Sequence, residues 1–290
     1  GELSELRWHD KYSRRSEALH AECRRYRWVL TYTAMNSIHN MRILLSNDDG
    51  IEAEGLKCLE RIARTLSDDV WIVAPESDQS GASHALSLSK PIRCRSLGSQ
   101  KFAVRGTPTD SVLMGVLDLV PPPAPDLVLS GINRGGNLGD DVTYSGTVAA
   151  AMEGVLHGIP SIALSQYTIH HDHTQWATAE HFAPDLIQRL LFAGWPSDVL
   201  ININFPDVSE EQLAGVSVTY QGRGKSGSVL DRRVDPRGQS YYWINSERSP
   251  EVDAAGSDLS AVRGGKISVT PLSVNLTDRD SHNALREALS

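Results

Sequence analysis

The stretch "MRILLSNDDGIEAEGLKCLERIARTLSDDVWIVAP", residues 41–75, carries a complete strand–helix–strand unit. Residues 41–46 and 70–75 are apolar runs of strand length. Between them, apolar residues recur at spacings of three and four, which is the period of one helix face; they are Leu56, Leu59, Ile62, Ala63 and Leu66. A strand, a helix and a second strand in this order predict a βαβ unit within a parallel sheet.

The same alternation continues along the chain to residue 205. Further helices are predicted at 110–120 and 145–158, and further strands at 126–130, 161–165 and 199–205. Pro184 is expected to start or kink a helix between the last two strands. We therefore predict an α/β fold over residues 41–205, with a Rossmann-like, mostly parallel sheet.

The two ends of the chain differ from this core. Residues 1–40 carry a net charge of +2, whereas the remaining residues carry −10. We expect the segment 1–40 to be a tag or an over-extended start without a catalytic role. Residues 206–290 contain short β-like runs around a "DPRG" turn at 235–238. They predict a C-terminal β-rich extension, a hairpin arm that packs on something else, such as another subunit.

Composition excludes several classes of protein. The net charge of −8 over 290 residues argues against a nucleic-acid duplex as partner, because such binding needs a basic surface. Cys23, Cys58 and Cys94 form no CxxC pair, which favours a reducing compartment, and we expect a cytoplasmic protein. No apolar run approaches the roughly 20 residues that cross a bilayer, so no membrane association is expected.

Polar clusters follow three of the predicted strands. Asn47, Asp48 and Asp49 follow the first strand, residues 76–84 follow the second, and residues 131–147 follow the strand at 126–130. In open α/β sheets, ligands bind at the carboxyl ends of the strands. Mg²⁺ and Mn²⁺ take oxygen ligands from carboxylates and neutral groups, which these clusters provide.

The third cluster ends where a helix begins, at Ser145, Gly146 and Thr147. Free N–H groups and the helix dipole favour an anion at such a point, and a glycine allows close approach to the backbone. A divalent cation beside a helix N-terminus predicts a phosphate-ester site. The sequence thus indicates phosphomonoester hydrolysis as a reaction class.

Five segments of the chain carry a family resemblance. They read "MRILLSNDDGIEAEGL", "VWIVAPESDQSGASHALSL", "RGTPTDSV", "PDLVLSGINRGGNLGDDVTYSGTVAAAMEG" and "DPRGQSYYWI". In this order, from Met41 to about Leu272, the chain resembles the SurE family of stationary-phase survival nucleotidases. The ordered set is far more specific than "NDDG" alone.

The resemblance implies a function and a set of residues. It implies hydrolysis of nucleoside 5′- and 3′-monophosphates by metal-activated water, one Mg²⁺ or Mn²⁺ per subunit, and a homodimer or homotetramer with exchanged C-terminal segments. The implied metal ligands are Asp48, Asp49, Ser80 and Asn133; Asp48, Asp49 and Asn133 are the catalytic residues, and Ser145, Gly146 and Thr147 line the phosphate site. We hypothesise that one aspartate accepts the proton of the attacking water, with Asp49 favoured as the firmer ligand and Asp48 as ligand or base, although the sequence does not separate the two.

Other interpretations of the same residues compete with this one. Asp48, Asp49 and Gly50 also form an ordinary turn sequence, Asn133 could tie loops together, and Ser145 could be a helix N-cap alone. A nucleotide- or polyphosphate-binding module without turnover is the main alternative function. A dehalogenase-type phosphatase would need an Asp-x-Asp pair after the first strand, where this chain has Asp48 and Asp49 adjacent, so the sequence disfavours it. A serine hydrolase is weaker still, because no G-x-S-x-G elbow follows any predicted strand.

Three further patterns carry less weight. "GRGKSG" at 222–227 fits G-x-G-x-x-G, but no helical stripe follows it. "HHDH" at 170–173 lacks a second ligand pair at zinc-site spacing and is interpreted as a solvated loop. His84 lies four residues after Ser80 and is a candidate for assisting the leaving group.

Overall fold

The structure is a computed structural model that describes residues 38–169, 174–223, 227–247 and 254–289. Its strands are β1 (Arg42–Ser46), β2 (Asp69–Pro75), β3 (Arg93–Ser96), β4 (Lys101–Arg105), β5 (Leu127–Arg134), β6 (Ser161–Gln166), β7 (Val199–Phe205), β8 (Val216–Val218), β9 (Gly227–Val234), β10 (Ser240–Glu247) and β11 (Ile267–Ser273). Its α-helices are α1 (Glu54–Leu66), α2 (Pro108–Met114), α3 (Gly146–Leu156), α4 (Trp176–Ala193), α5 (Asp258–Arg263) and α6 (Arg279–Leu289).

Nine of the described strands form one sheet in the order β3-β4-β2-β1-β5-β6-β7-β11-β8. The six strands from β4 to β7 are parallel, and counted along the chain they stand in the order 3-2-1-4-5-6. This is the order of the doubly wound fold, whose direction reverses at one switch point. Here that point lies between β1 and β5. The predicted α/β fold with a mostly parallel sheet is confirmed.

Strand β1 shows why the sheet is covered on both faces. Ile43 and Leu45 are buried in a cluster with residues of α1 and α4, whereas Leu44 lies in a second cluster with Val112 of α2 and Ala150 of α3. Successive side chains of a strand point to opposite faces, so an uninterrupted apolar run needs a helix layer on each side. Each such buried side chain contributes roughly 1.5–3 kcal/mol to stability.

Two predicted helices have different bounds in the structure. Helix α2 begins at Pro108 because Thr107 and Asp110 form a capping box, and a π-helical turn over Gly115–Leu119 follows it. Helix α4 begins at Trp176, so Pro184 lies inside the helix rather than at its start. Packing of α4 on α1 and the sheet outweighs the hydrogen bond that the proline removes.

Sequence patterns missed strand β3 at one edge of the sheet, whereas β8 and β11 near the other edge fall within the short β-like runs predicted for residues 206–290. Strand β3 is exposed along its whole length and pairs antiparallel with β4, so neither the period-two pattern nor an apolar run marks it. Strand β11 pairs antiparallel with β7, and β8 pairs with β11. The main sheet therefore takes strands from both sides of the predicted boundary at residue 206, and that division stays a prediction.

Strands β9 and β10 form a separate antiparallel hairpin, with its turn at the predicted "DPRG" segment. Residues 1–37 of the predicted N-terminal extension lie outside the described residues, as does the "HHDH" segment at 170–173. Within the described ranges, no helix has both the length and the apolar character needed to span a membrane.

Candidate active site

Asp48 follows β1 in the chain, and its side chain contacts the first turn of α3 in space. Its side chain is 4% exposed, and its Oδ1 accepts a hydrogen bond from the hydroxyl group of Thr147. A Cβ atom added to Gly146 would lie 2.7 Å from the Cβ of Asp48 and 3.0 Å from Cγ of Pro108. The first turn of α3 therefore sits directly on the Asp48 carboxylate.

Asp49 faces the end of β5, on the other side of the switch point. Its Oδ2 accepts a hydrogen bond of 3.1 Å from the backbone N–H of Arg134. Strand β1 has already ended at Ser46, so the alternation of strand side chains no longer separates the two carboxylates. Gly50 adopts a φ of +101°, and Asn47 Nδ2 donates to its carbonyl oxygen at 2.9 Å, which fixes the turn.

Burial makes both carboxyl groups hard to ionise without a cation. It raises the pKa of Asp49 to about 7, with the neighbouring Asp48 charge as the next contribution. Burial also raises the pKa of Asp48, against the opposing hydrogen bond from Thr147. Two adjacent carboxylates in a low-dielectric pocket favour a bound positive charge, since a cation relieves both the burial cost and the mutual repulsion.

Asp78 is a third acid near this pair, and sequence reasoning missed it. Its negative charge raises the pKa of both Asp48 and Asp49. The backbone N–H and the hydroxyl group of Ser80 donate to Asp78 Oδ1 at 2.7 and 2.6 Å. The available signal was its position two residues before Ser80, in the polar segment that follows β2.

The segment that carries Ser80 packs along the aspartate turn. The Gln79 N–H donates to the carbonyl oxygen of Asp48 at 2.8 Å, and a Cβ atom added to Gly50 would lie 3.1 Å from the carbonyl carbon of Ser77. Ser80 is thus held next to the turn, with its hydroxyl hydrogen directed to Asp78. Its role as a metal ligand stays a prediction.

Asn133 is the penultimate residue of β5. This strand extends to Arg134 rather than ending at residue 130 as predicted. Its Nδ2 donates to the carbonyl oxygen of Gly135 at 2.9 Å. This contact turns the amide so that Oδ1 remains as the acceptor of the side chain. Because the next residue binds Asp49 through its N–H, Asn133 lies beside the acidic pair.

The donor set fits a hard divalent cation. It combines two carboxylates of raised pKa with the neutral oxygens of Asn133 and Ser80, the mixture that Mg²⁺ and Mn²⁺ accept together with water. Among the described residues, no group of three or more His, Cys, Asp or Glu side chains is placed to hold a metal. A cation held here would therefore depend on amide and hydroxyl oxygens as well as on Asp48 and Asp49.

Ser145 caps helix α3, as one of the sequence interpretations expected. Its Oγ accepts a hydrogen bond from the N–H of Val148 at 3.0 Å. Helix geometry leaves the N–H groups of the first turn, including those of Gly146 and Thr147, without carbonyl partners within the helix. These donors and the helix dipole would meet an anion next to the Asp48 carboxylate.

A further carboxylate ties the Ser80 segment to α3. His84 Nε2 lies 2.9 Å from Oε2 of Glu153, and His157 Nε2 lies 3.2 Å from its Oε1. The hydrogen bond with His84 holds the pKa of the Glu153 carboxyl below its usual value, despite burial. Glu153 stands seven residues along the helix from Gly146, so His84 is bound about two turns away from the predicted phosphate site.

The "GRGKSG" segment at 222–227 ends in a strand and not in a helix. Gly227, its last residue, begins strand β9 of the hairpin, whereas a dinucleotide fingerprint opens a helix. Residues 224–226 of the segment lie outside the described residues.

The fold and the site together define a doubly wound α/β protein with a pair of aspartates at the N-terminus of a helix, at the switch point of its sheet. A family model described as "Survival protein SurE" matches residues 43–228. The chain belongs to the SurE family, and the resemblance drawn from its motifs is confirmed.

Relatives extend the match over most of the chain. A protein from Paramagnetospirillum magneticum (strain ATCC 700264 / AMB-1), named 5'-nucleotidase SurE, is 55% identical over 260 residues, which cover 89% of this chain and 100% of the relative. A protein of the same name from Caulobacter sp. (strain K31) is 56% identical over 253 residues, covering 86% and 94%. The crystal structure of the SurE protein from Aquifex aeolicus is similar, with a TM-score of 0.75, 36% identity and coverage of 86% of this chain and 100% of that one.

Proposed function

We propose that this protein is a metal-dependent nucleotidase that hydrolyses nucleoside 5′- and 3′-monophosphates to nucleoside and phosphate. The contact that carries the proposal is that of Asp48 with the first turn of α3, where Thr147 donates to the carboxylate and Gly146 packs against it. This contact supports a cation at Asp48 and an anion at the α3 N-terminus acting on the same phosphate ester. The names of the relatives support a 5′-nucleotide as substrate.

Each group of residues has a separate task in this proposal. Asp48, Asp49, Ser80 and Asn133 would hold one Mg²⁺ or Mn²⁺, which supplies Lewis acidity toward a phosphoryl oxygen and a water. Ser145, Gly146 and Thr147 would line the phosphate, which the N–H groups of Gly146 and Thr147 orient, whereas the N–H of Ser145 donates to the carbonyl oxygen of Val142. One of the two aspartates accepts the proton of the attacking water, and Arg134 orients Asp49 through its N–H.

A phosphate-release assay tests this proposal. We expect release from 5′-AMP, 3′-AMP and 4-nitrophenyl phosphate with Mn²⁺ or Mg²⁺, and its loss when EDTA is added. Release from 5′-AMP alone would restrict the reaction to 5′-esters. Tight binding of AMP without phosphate release under any metal would contradict the proposal and favour the non-catalytic binding module.

We also expect the metal to stabilise the protein more as the pH rises. The Asp49 pKa is about 7 in the folded chain, against an ordinary value of 3.8. Between these two pH values, the folded state therefore holds a proton on Asp49 that the unfolded state has lost. The stability of chelator-treated protein should therefore fall as the pH rises from about 4 to 7, by roughly 4 kcal/mol at most. Mn²⁺ competes with that proton, so the increase in Tm on adding Mn²⁺ should be larger at pH 8 than at pH 6.

Thermal unfolding at constant ionic strength measures both trends. Asp49→Asn removes one of the two carboxyl groups of raised pKa and should make the pH dependence of the chelated protein shallower. A metal-induced increase in Tm that is equal at pH 6 and pH 8 would contradict the assignment of Asp49 as a ligand.

We further propose that the chain forms a homodimer or homotetramer through its C-terminal segments, in the cytoplasm. Hairpin β9–β10 exposes large apolar side chains: Leu230 is 64% exposed, Trp243 59% and Ile244 78%. Such a surface is typical of a buried interface. The exposed thiol of Cys94 fits a reducing compartment.

Sedimentation tests the assembly. Trp243→Asp combined with Ile244→Asp should shift the chain toward the monomer. Leu117→Asp, on a side chain that is 66% exposed outside the hairpin, is the matched control and should leave the assembly unchanged. A wild-type monomer at micromolar concentration would contradict this proposal.

A further inference from the structure

Three segments of the chain meet at Asp258, the first residue of α5. The first is the loop 135–145, which joins the end of β5 to the start of α3. The second is the segment 220–223, which leads toward hairpin β9–β10. The third is the N-terminus of α5 itself.

Asp258 is a fully buried carboxylate that accepts hydrogen bonds from all three segments. Its Oδ2 accepts from the N–H of Gly139 at 2.8 Å, and its Oδ1 accepts from the N–H groups of Gly222 and Leu259, each at 2.8 Å. Hydrogen bonds to an ionised acceptor are the stronger kind, and burial keeps water from replacing them. One side chain thus joins backbone from three distant parts of the sequence.

Gly139 is held from both sides of its peptide backbone. Gln221 Nε2 donates to its carbonyl oxygen at 2.9 Å, while its N–H is bound to Asp258. Its φ is +54°, and an added Cβ atom would lie 3.1 Å from Cδ1 of Leu259 and 3.3 Å from the carbonyl oxygen of Gly222. The contact between the loop and the C-terminal segments is therefore close as well as hydrogen-bonded.

Both ends of the loop 135–145 belong to the candidate active site. Before it, the N–H of Arg134 binds Asp49; after it, Ser145 caps α3 and Thr147 binds Asp48. The loop thus spans the cation side and the phosphate side of the site. A displacement at Gly139 would change the distance between these two sides.

We propose that Asp258 is a positioning residue for the active site, which fixes the loop 135–145 and links it to the base of hairpin β9–β10. The inference rests on the proposed function, since the site it positions is the nucleotidase site. Asp258 itself contacts backbone only and touches neither Asp48 nor Asp49 through any of these hydrogen bonds.

Asp258→Asn tests the proposal, because the amide keeps the shape of the side chain but replaces one acceptor oxygen by a donor that faces an N–H group. We expect the Kd for Mn²⁺ and for inorganic phosphate, measured by calorimetry on the folded protein, to rise about 10-fold, as when a metal ligand loses its supporting partner. The KM for AMP should rise in parallel. Hydrogen exchange of the peptide that covers 135–145 should become faster.

Asp198→Asn is the matched control, since Asp198 is exposed and lies just before β7 at the opposite end of the strands. It should leave all four measurements unchanged. If Asp258→Asn does not fold, Gln221→Ala removes one contact to Gly139 and should shift the same quantities in the same direction by a smaller factor.

Wild-type Kd and KM values in Asp258→Asn, with faster exchange confined to 254–263, would overturn the proposal and limit the role of Asp258 to local support of α5, whose N-cap is Ser257. A wild-type protein that releases no phosphate from AMP would instead contradict the proposed function. In that case the Kd values and the exchange of 135–145 still decide whether Asp258 positions the loop.

Discussion

Replacing Asp49 by asparagine is expected to lower kcat/KM for AMP by more than about 100-fold. Mutating a residue that only supports a metal ligand typically lowers metal affinity or activity by about 10- to 100-fold, and loss of a ligand should cost more. The amide lacks the charge that a cation needs, and its NH₂ group would face either the cation or the N–H of Arg134. The same substitution should abolish the Mn²⁺-induced increase in Tm. Steady-state phosphate release and thermal unfolding measure the two effects.

Asp68→Asn is the control for this substitution. Asp68 is exposed and precedes β2, at the amino edge of the sheet and away from the switch point. It should leave kcat/KM and the metal response unchanged. An Asp49→Asn protein with wild-type turnover would exclude Asp49 from the site and with it the metal assignment of the pair.

Replacing Gly146 by alanine is expected to lower kcat/KM by about 100-fold, with a net loss of stability of up to about 2 kcal/mol. The new Cβ atom would lie 2.7 Å from the Cβ of Asp48 and 3.0 Å from its Oδ2, so the carboxylate or the helix must shift. A cost of about 1–3 kcal/mol for overpacking is partly offset by the higher helix propensity of alanine, up to about 1 kcal/mol. A shift of the first turn of α3 would also displace the N–H groups of the proposed phosphate site.

Gly154→Ala on the same helix separates damage to the site from damage to the fold. Its Cβ atom would lie 2.3 Å from Oγ of Ser161, so this variant is overpacked against β6, two turns from the phosphate site. It should lower the Tm yet keep the wild-type Kd for inorganic phosphate. Equal phosphate affinity in Gly146→Ala and wild type would contradict the assignment of the α3 N-terminus as the phosphate site.

Much of the local structure was predictable because its signals lie within a few residues. The apolar run before Asp48 marks β1, the stripe from Leu56 to Leu66 marks α1, and Ser145 marks the start of α3 by its capping hydroxyl. Gly158, which follows the end of this helix, has a φ of +75°, the conformation typical of a glycine at a helix C-terminus. These features depend on backbone preference and burial pattern, which short segments encode.

Other features had no local signal. The exposed strand β3 lacks an apolar pattern, and α4 continues through Pro184 because tertiary packing outweighs the local preference. Asp78 and Asp258 are single acids in polar segments, and only the folded chain shows that one lies beside the aspartate pair and the other binds Gly139.

By itself, the sequence determined the α/β class, the ordered SurE motifs and the three polar clusters that follow the strands. The tertiary structure alone decided how these clusters meet. Arg134 binds Asp49 across 85 positions of sequence, and Thr147 binds Asp48 across 99. Such contacts depend on the order of the strands in the sheet, which places β1 beside β5 although β2, β3 and β4 lie between them along the chain.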